Sequence, residues 1–142
     1  MKRKYFFVVI LFLILAIFLV GCSGGGIVTV ATEEAKVKSV IQDWSLAINA
    51  QNWNKALSYC VYGSDRYYYV CQLRDAINSL SQYCNVVTIN ILITNIQVSI
   101  YGNYANVSCY VNAVISACGY IESGSDYGNL TLQKVGNSWK LY

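Results

Sequence analysis

The sequence predicts an α+β domain in which N-terminal helices cover one face of an antiparallel sheet. Two observations carry this expectation. Apolar residues recur at helical spacing between Val37 and Leu80, and from Val86 onward they alternate with polar ones at the period of two that a half-buried strand requires. All the helical segments precede all the strands, which separates a helical layer from a sheet layer instead of interleaving them.

Thr32 offers an N-cap for the first helix, and Glu33 and Glu34 place negative charge in its first turn, where the helix dipole favours it. Val37, Val40, Ile41, Trp44 and Ile48 then form one apolar stripe that runs to about Ala50. Asn52 can cap a short second helix that brings Trp53, Ala56, Leu57 and Cys60 to one side. Residues 61–66 read as a loop, and Leu73, Ala76, Ile77 and Leu80 mark a third helix. In the β-rich half, Ile96, Val98 and Ile100 alternate with Gln97 and Ser99, and Gly102-Asn103 supplies turn chemistry. Ala105, Val107, Cys109, Val111, Ala113 and Ile115 alternate on the far side, which makes a long hairpin. Residues 123–126 read as a second turn, Leu130 and Leu132 as a third strand, and Gly136-Asn137 as the turn into Trp139-Lys140-Leu141.

Charge excludes one class of partner. Ten Lys and Arg stand against seven Asp and Glu, but three of the ten are Lys2, Arg3 and Lys4, so the remainder of the chain is formally neutral. Its other cations are scattered, which argues against nucleic-acid binding by phosphate neutralisation. The chain has no His, which removes Ser-His-Asp chemistry and the commonest metal ligand.

The cationic triplet precedes sixteen uninterrupted apolar residues from Tyr5 to Val20. That pattern predicts a secretory signal over residues 1–21, since a permanent span needs about 20 residues to cross ~30 Å of hydrocarbon. Leu19-Val20-Gly21-Cys22 resembles the lipobox of prokaryotic lipoproteins. The resemblance implies that the Cys22 thiol receives a diacylglyceryl group, with further acyl chains such as palmitate, and that the signal is cut just before it. Residues 22–31 would then be a lipidated flexible tether and residues 32–142 one domain. It would be held on the cell membrane or outer membrane and face away from the cytoplasm.

The helix-then-sheet order, the aromatic on the first helix, and the segments NWNKAL (52–57), GNYANV (102–107) and GNSWKLY (136–142) resemble the nuclear transport factor 2-like family. This resemblance covers about residues 33–142. It implies a strongly bent sheet that wraps the helices into a cone; the alternative is the cystatin-like arrangement of one helix over a sheet. Enzymes of the superfamily, ketosteroid isomerases and dehydratases among them, place an Asp or His base and Tyr or Asp donors inside the cone. Here Asp43 and Asp75 fall on the polar sides of their helices, and Asp65 and Asp126 fall in expected turns. Glu122 has the parity of Tyr110 and Asn112, away from the core series, unless a bulge shifts it. No carboxylate is expected inside the cone, so no catalytic residue is named. The leading expectation is a non-enzymatic, lipid-anchored binding or assembly module without a cofactor. An isomerase or dehydratase using the cone interior, and a structural envelope lipoprotein, are the alternatives.

With Cys22 lipidated, five cysteines remain, and export makes disulfides possible. Cys60 with Cys71, and Cys84 with Cys109, are the expected pairs; Cys109 is otherwise a small buried hydrophobe. No close Cys pair supports a metal site. Tyr104, Asn106, Ser108, Tyr110 and Asn112 share the outer side of the hairpin, and Tyr67, Tyr68 and Tyr69 bunch before the third helix. Such neutral Tyr and Asn surfaces suit protein contact, so a homodimer or an envelope protein is the expected partner, unless the face is simply solvated.

Overall fold

The computed structural model describes residues 30–142. The expected signal (1–21), the expected lipidation site Cys22 and the expected tether as far as residue 29 lie outside the described residues. No helix among those described is long and apolar enough to cross a membrane.

Three helices precede four strands: α1 (Val30–Asn49), α2 (Trp53–Ser58), α3 (Asp65–Ser81), β1 (Val87–Tyr101), β2 (Tyr104–Ala117), β3 (Tyr120–Val135) and β4 (Ser138–Leu141). The sheet is antiparallel in the order β1-β2-β3-β4. Helix α1 begins two residues before the Thr32 cap that its sequence suggests. Its stripe of Val37, Ile41, Trp44 and Ile48 is wholly buried. It packs mainly along β1 and reaches β4. Fully burying each such side chain contributes about 1.5–3 kcal/mol. The facing layer is the alternating set Ala105, Val107, Cys109, Val111, Ala113 and Ile115 of β2, joined by Leu130, Leu132 and Leu141.

Two side chains fasten the end of α1 to the outer edge of β1. Asn49 donates to the Ile91 carbonyl at 3.0 Å and accepts from the Ile91 N–H at 2.6 Å, and Gln51 donates to the Val87 carbonyl at 2.8 Å. The other end of α1 is held by Glu33, which accepts from Lys134 at 2.9 Å and from the Trp139 indole at 2.8 Å. In β1 the register shifts between Thr94 and Gln97, with Asn95 at φ 52, so the long strand bends and the sheet curls around the helices.

Three local expectations are corrected. Ser64 caps α3 by accepting from the Tyr67 N–H at 3.2 Å, so the helix starts at Asp65 and residues 61–66 are only partly loop. Tyr67, Tyr68 and Tyr69 therefore belong to the first turns of the helix. Residues 123–126 do not turn: they pair in register with Val114, Asn112 and their neighbours inside β3. The turn is Cys118-Gly119, where both residues take positive φ, 52 and 79; Gly119 meets that requirement without a Cβ penalty.

The disulfide expectation is corrected as well. The bond joins Cys84 to Cys118, with Cα atoms 4.9 Å apart, while Cys60, Cys71 and Cys109 are free. The tight turn at Cys118 lifts that residue off the end of β2 and sets it beside Cys84, which follows the C-terminal end of α3. Cys109 lies mid-strand with its thiol 3.8 Å from the Gly128 carbonyl, and Cys60 lies 3.6 Å from the Ala56 carbonyl. Neither reaches its expected partner.

Candidate functional site

The chain between α2 and α3 is sewn to the last strand. Leu141 N–H donates to the Tyr59 carbonyl at 2.8 Å, and Val61 N–H donates to the Leu141 carbonyl at 2.7 Å. This bridge holds Cys60 against the sheet and delivers the first turn of α3 to the interior. Arg66 and Tyr69 enter the core there, three residues apart and hence on one face of the helix. Arg66 is 5% exposed and Tyr69 2%. The guanidinium carbon lies 5.9 Å from the centroid of the Trp44 ring and 5.7 Å from that of Tyr69. Arg66 is thus a buried cation flanked by two aromatic rings.

Burial sets the protonation states. It lowers the Arg66 pKa from its ordinary value, an effect that the nearby Tyr69, Cys60, Cys109 and Asp65 oppose. Burial pushes the Tyr69 hydroxyl up, with Arg66 opposing, so it is a neutral donor at physiological pH. The Cys60 thiol is pushed up to about 12 and the Cys109 thiol to about 11, in both cases chiefly by burial. Neither is a thiolate nucleophile near neutral pH. The Trp44 indole N–H is oriented so as to favour the charged form of Cys60. Yet Trp44 Nε1 and Tyr69 Oη make no hydrogen bond of ordinary geometry with any of the described residues. Buried polar atoms are nearly always satisfied, so two such atoms beside one cation set this part of the core apart.

Arg66 and Tyr69 open onto a pocket of about 430 Å³ between the first turns of α3 and the edge of β3. Asp65, Tyr68, Gln72, Asn129, Thr131 and Tyr142 complete its lining. The pocket exists because β4 pairs with β3 only from Leu132 onward, which leaves the β3 edge near Asn129 open toward the helix. Among the described residues, no group of three or more Cys, Asp or Glu is placed to hold a metal ion.

Asp43 and Asp75 lie on the polar sides of their helices as expected, whereas Glu122 and Asp126 lie differently from their expected positions. Residues directly opposite in an antiparallel pair share a face. Glu122 is opposite Ile115 and Asp126 opposite Val111, both fully buried core residues. Glu122 and Asp126 therefore stand on the concave face, alternating with Gly124 and Gly128. The turn at Cys118-Gly119 resets the alternation that placed Glu122 outside. Asp126 accepts from the Tyr127 N–H at 2.7 Å. Asp43 accepts from Ser39 at 3.4 Å on α1, and Asp75 pairs with Arg74 at 2.9 Å, both on helix exteriors. Asp65 lies on the pocket rim.

Of the expected contact surface, Tyr104 is exposed and bonded to Gln133 at 3.3 Å, whereas Asn106, Tyr110 and Asn112 are half-buried. Tyr110 packs edge-on against Tyr127 with centroids 5.0 Å apart. Sequence reasoning missed Arg66 and Tyr69. The available signal was their place on the stripe Arg66, Tyr69, Val70, Leu73, Ile77 and Leu80, all of which α3 buries.

No family model matches the chain, and no curated protein matches it by sequence. Solved structures do match. One from Novosphingobium aromaticivorans, provisionally named a scytalone dehydratase, aligns with TM-score 0.60 and 18% identity over 77% of this chain and 78% of its own. One from Streptomyces avermitilis, provisionally named a dehydratase of the nuclear transport factor 2-like family, gives TM-score 0.61 and 14% identity over 80% and 94%. A third, again from Novosphingobium aromaticivorans and described as a nuclear transport factor 2-like protein with a cystatin-like fold, gives 0.56 and 10% over 76% of each chain. The chain has the nuclear transport factor 2-like fold, with helices on a curled antiparallel sheet. The expectation of a non-enzymatic domain is corrected by these neighbours, two of which carry enzyme names. Its premise fails too, since the carboxylates of Glu122 and Asp126 stand on the concave face.

Proposed function

We propose that the chain is an enzyme of small organic molecules, of the dehydratase or isomerase class, working in the pocket between α3 and the edge of β3. One observation carries the reading: two buried residues, the cation Arg66 and Tyr69, line one pocket with a carboxylate, Asp65, at its rim. The enzyme names carried by structures of the same fold support it.

The chemistry follows from those groups. Asp65 takes a proton from the carbon next to a substrate carbonyl. Tyr69 donates a hydrogen bond to the carbonyl oxygen as it becomes an enolate, and the Arg66 charge favours the negative charge that develops. When the enolate collapses, a β-hydroxyl leaves and takes the proton from Asp65, giving an unsaturated carbonyl compound and water. Return of the proton to a different carbon gives isomerisation instead. A positioned base contributes roughly 10²–10⁴-fold and an oxyanion donor about 10²–10³-fold. The test is proton exchange in deuterated water, followed by NMR, across a panel of β-hydroxy and β,γ-unsaturated carbonyl compounds. Exchange or turnover that falls by about 10²-fold or more in Asp65→Asn and in Tyr69→Phe is the expected result. A panel that shows no exchange with the folded wild-type protein overturns the reading.

We propose further that this enzyme works outside the cytoplasm, tethered to a membrane by lipid on Cys22. The cationic start, the apolar run to Val20 and the sequence Leu19-Val20-Gly21-Cys22 support this. The Cys84–Cys118 disulfide adds support, because such bonds persist in oxidising compartments. Mass spectrometry of detergent-extracted protein should find an acylated Cys22 at the mature N-terminus; an intact 1–21 segment sinks the proposal.

A further inference from the structure

The lining of the pocket narrows the substrate beyond its reaction class, and the inference rests on the pocket reading given above. We infer that the substrate is a small organic monoanion whose carboxylate is held by Arg66. A guanidinium presents five N–H donors in a plane and matches a carboxylate with two parallel hydrogen bonds, so it can serve a ligand and other acceptors at once. At 5% exposure Arg66 has its orientation set by the Trp44 and Tyr69 rings, which spares the ligand the ordering of a flexible side chain. Tyr69, itself 2% exposed, lines the same pocket, and its hydroxyl has no hydrogen-bond partner among the described residues.

The same lining argues against a dianion. Arg66 and Asp65 are the charged side chains among the lining residues, and the rest are Tyr, Gln, Asn and Thr. Arg66, the cation among these lining side chains, can offset one negative charge on a ligand. A second charge on the ligand, as on a phosphate monoester, would meet Asp65 without a second cation to offset it. Gln72, Asn129 and Thr131 can bond to hydroxyl or carbonyl groups on the body of the ligand, and about 430 Å³ falls within the range of small-molecule sites.

The test uses three probes of one shape, benzoate, benzamide and phenyl phosphate, titrated into the full chain by calorimetry. Benzoate should bind at least about tenfold more tightly than benzamide, the factor expected when a charge-assisted bond is replaced by a neutral one. Phenyl phosphate should bind more weakly than benzoate. Arg66→Met, which keeps the stem in the core, should abolish the preference for benzoate over benzamide. Arg66→Lys should keep the preference with weaker binding, since it retains the charge without the fork. Circular dichroism confirms that each variant is folded, and Tyr69→Phe gives a second reading of the site should Arg66→Met fail that check. Tyr69→Phe should weaken benzoate several-fold. Equal binding of benzoate and benzamide, tighter binding of phenyl phosphate, or unchanged benzoate affinity in the folded variants overturns the inference. Failure of all three probes to bind overturns it also, and leaves the enzyme reading to be decided by its own exchange assay.

Discussion

Removing the Cys84–Cys118 bond tests the fold at the point where it departs most from the sequence expectation. The two cysteines are separated by 34 residues, and the bond ties the end of α3 to the β2–β3 turn. In the chain-entropy account, closing a loop of that length removes about 13 cal/mol/K from the unfolded ensemble, or about 3.8 kcal/mol at 25 °C. Cys84 is buried and Cys118 exposed, so the least disruptive change is Cys84→Ala with Cys118→Ser. Urea unfolding of the double variant should show a loss of about 3–4 kcal/mol. At about 4 °C per kcal/mol for a domain of this size, Tm should fall by about 15 °C. Non-reducing peptide mapping of the wild type should recover the Cys84 and Cys118 peptides joined, with Cys60, Cys71 and Cys109 open to alkylation after denaturation. A loss below about 1 kcal/mol would refute the reasoning, because it would mean that the bond does not constrain the chain over this loop. A peptide joining Cys60 to Cys71 would refute the connectivity itself.

The remaining predictions concern single side chains. Glu33 accepts from Lys36 at 2.6 Å, from Lys134 and from Trp139, and these bonds lower its pKa from 4.5 to about 2. A carboxyl held low in the folded state stabilises above its unfolded pKa, so this contribution is present above pH 4.5 and is lost as pH falls toward 2. Urea titrations across that window should show the loss in the wild type and a flatter limb in Glu33→Gln. Asn49→Ala leaves the Ile91 N–H at the β1 edge without its acceptor and should cost about 2 kcal/mol. The Ile91 amide should exchange faster with solvent in that variant. Brief iodoacetamide treatment of the native protein at pH 8 should label Cys71, which is half-exposed, well before Cys60 and Cys109, whose thiols are buried and pushed up to about 12 and about 11. Equal labelling of the three would show that the interior opens on the timescale of the reagent.

What the sequence disclosed depended on whether a pattern was carried by one element or set by the meeting of two. The α1 stripe and the β2 alternation are each properties of one segment, and each faces the core as the periodicity requires. The cysteine pairing and the side taken by Glu122 depend on where the β2–β3 turn falls. Ser123-Gly-Ser-Asp126 has the composition of a turn and yet pairs within β3, while the actual turn takes only Cys118 and Gly119. A shift of the turn by a few residues changes the phase of the strand, and a change of one residue moves every side chain to the other face. A correct alternation counted from the wrong origin therefore places Glu122 in the wrong environment, and a turn expected at 123–126 does the same for Asp126.

Arg66 was hidden by a different cause. As a charge it is one of several scattered cations, and by composition it falls in a polar stretch. By helical phase it stands at the head of the stripe that Tyr69, Val70, Leu73, Ile77 and Leu80 continue, every member of which is buried. An apolar residue at that position would pack against Trp44 at no electrostatic cost, whereas desolvating a guanidinium costs several kcal/mol even after relaxation. Conflict between a local rule and the residue that breaks it is most often found where a protein serves a function at the expense of stability. The conflict at Arg66 coincides with a tyrosine hydroxyl and an indole N–H that find no partner among the described residues, and with an opening to solvent on the α3 side. Each of these alone fits an imperfect core. Their convergence on one cation is what a binding site for a negatively charged group requires, and Arg66→Met tests it: a ligand site would lose its preference for an anion, whereas an imperfect core would show no such preference in the wild type.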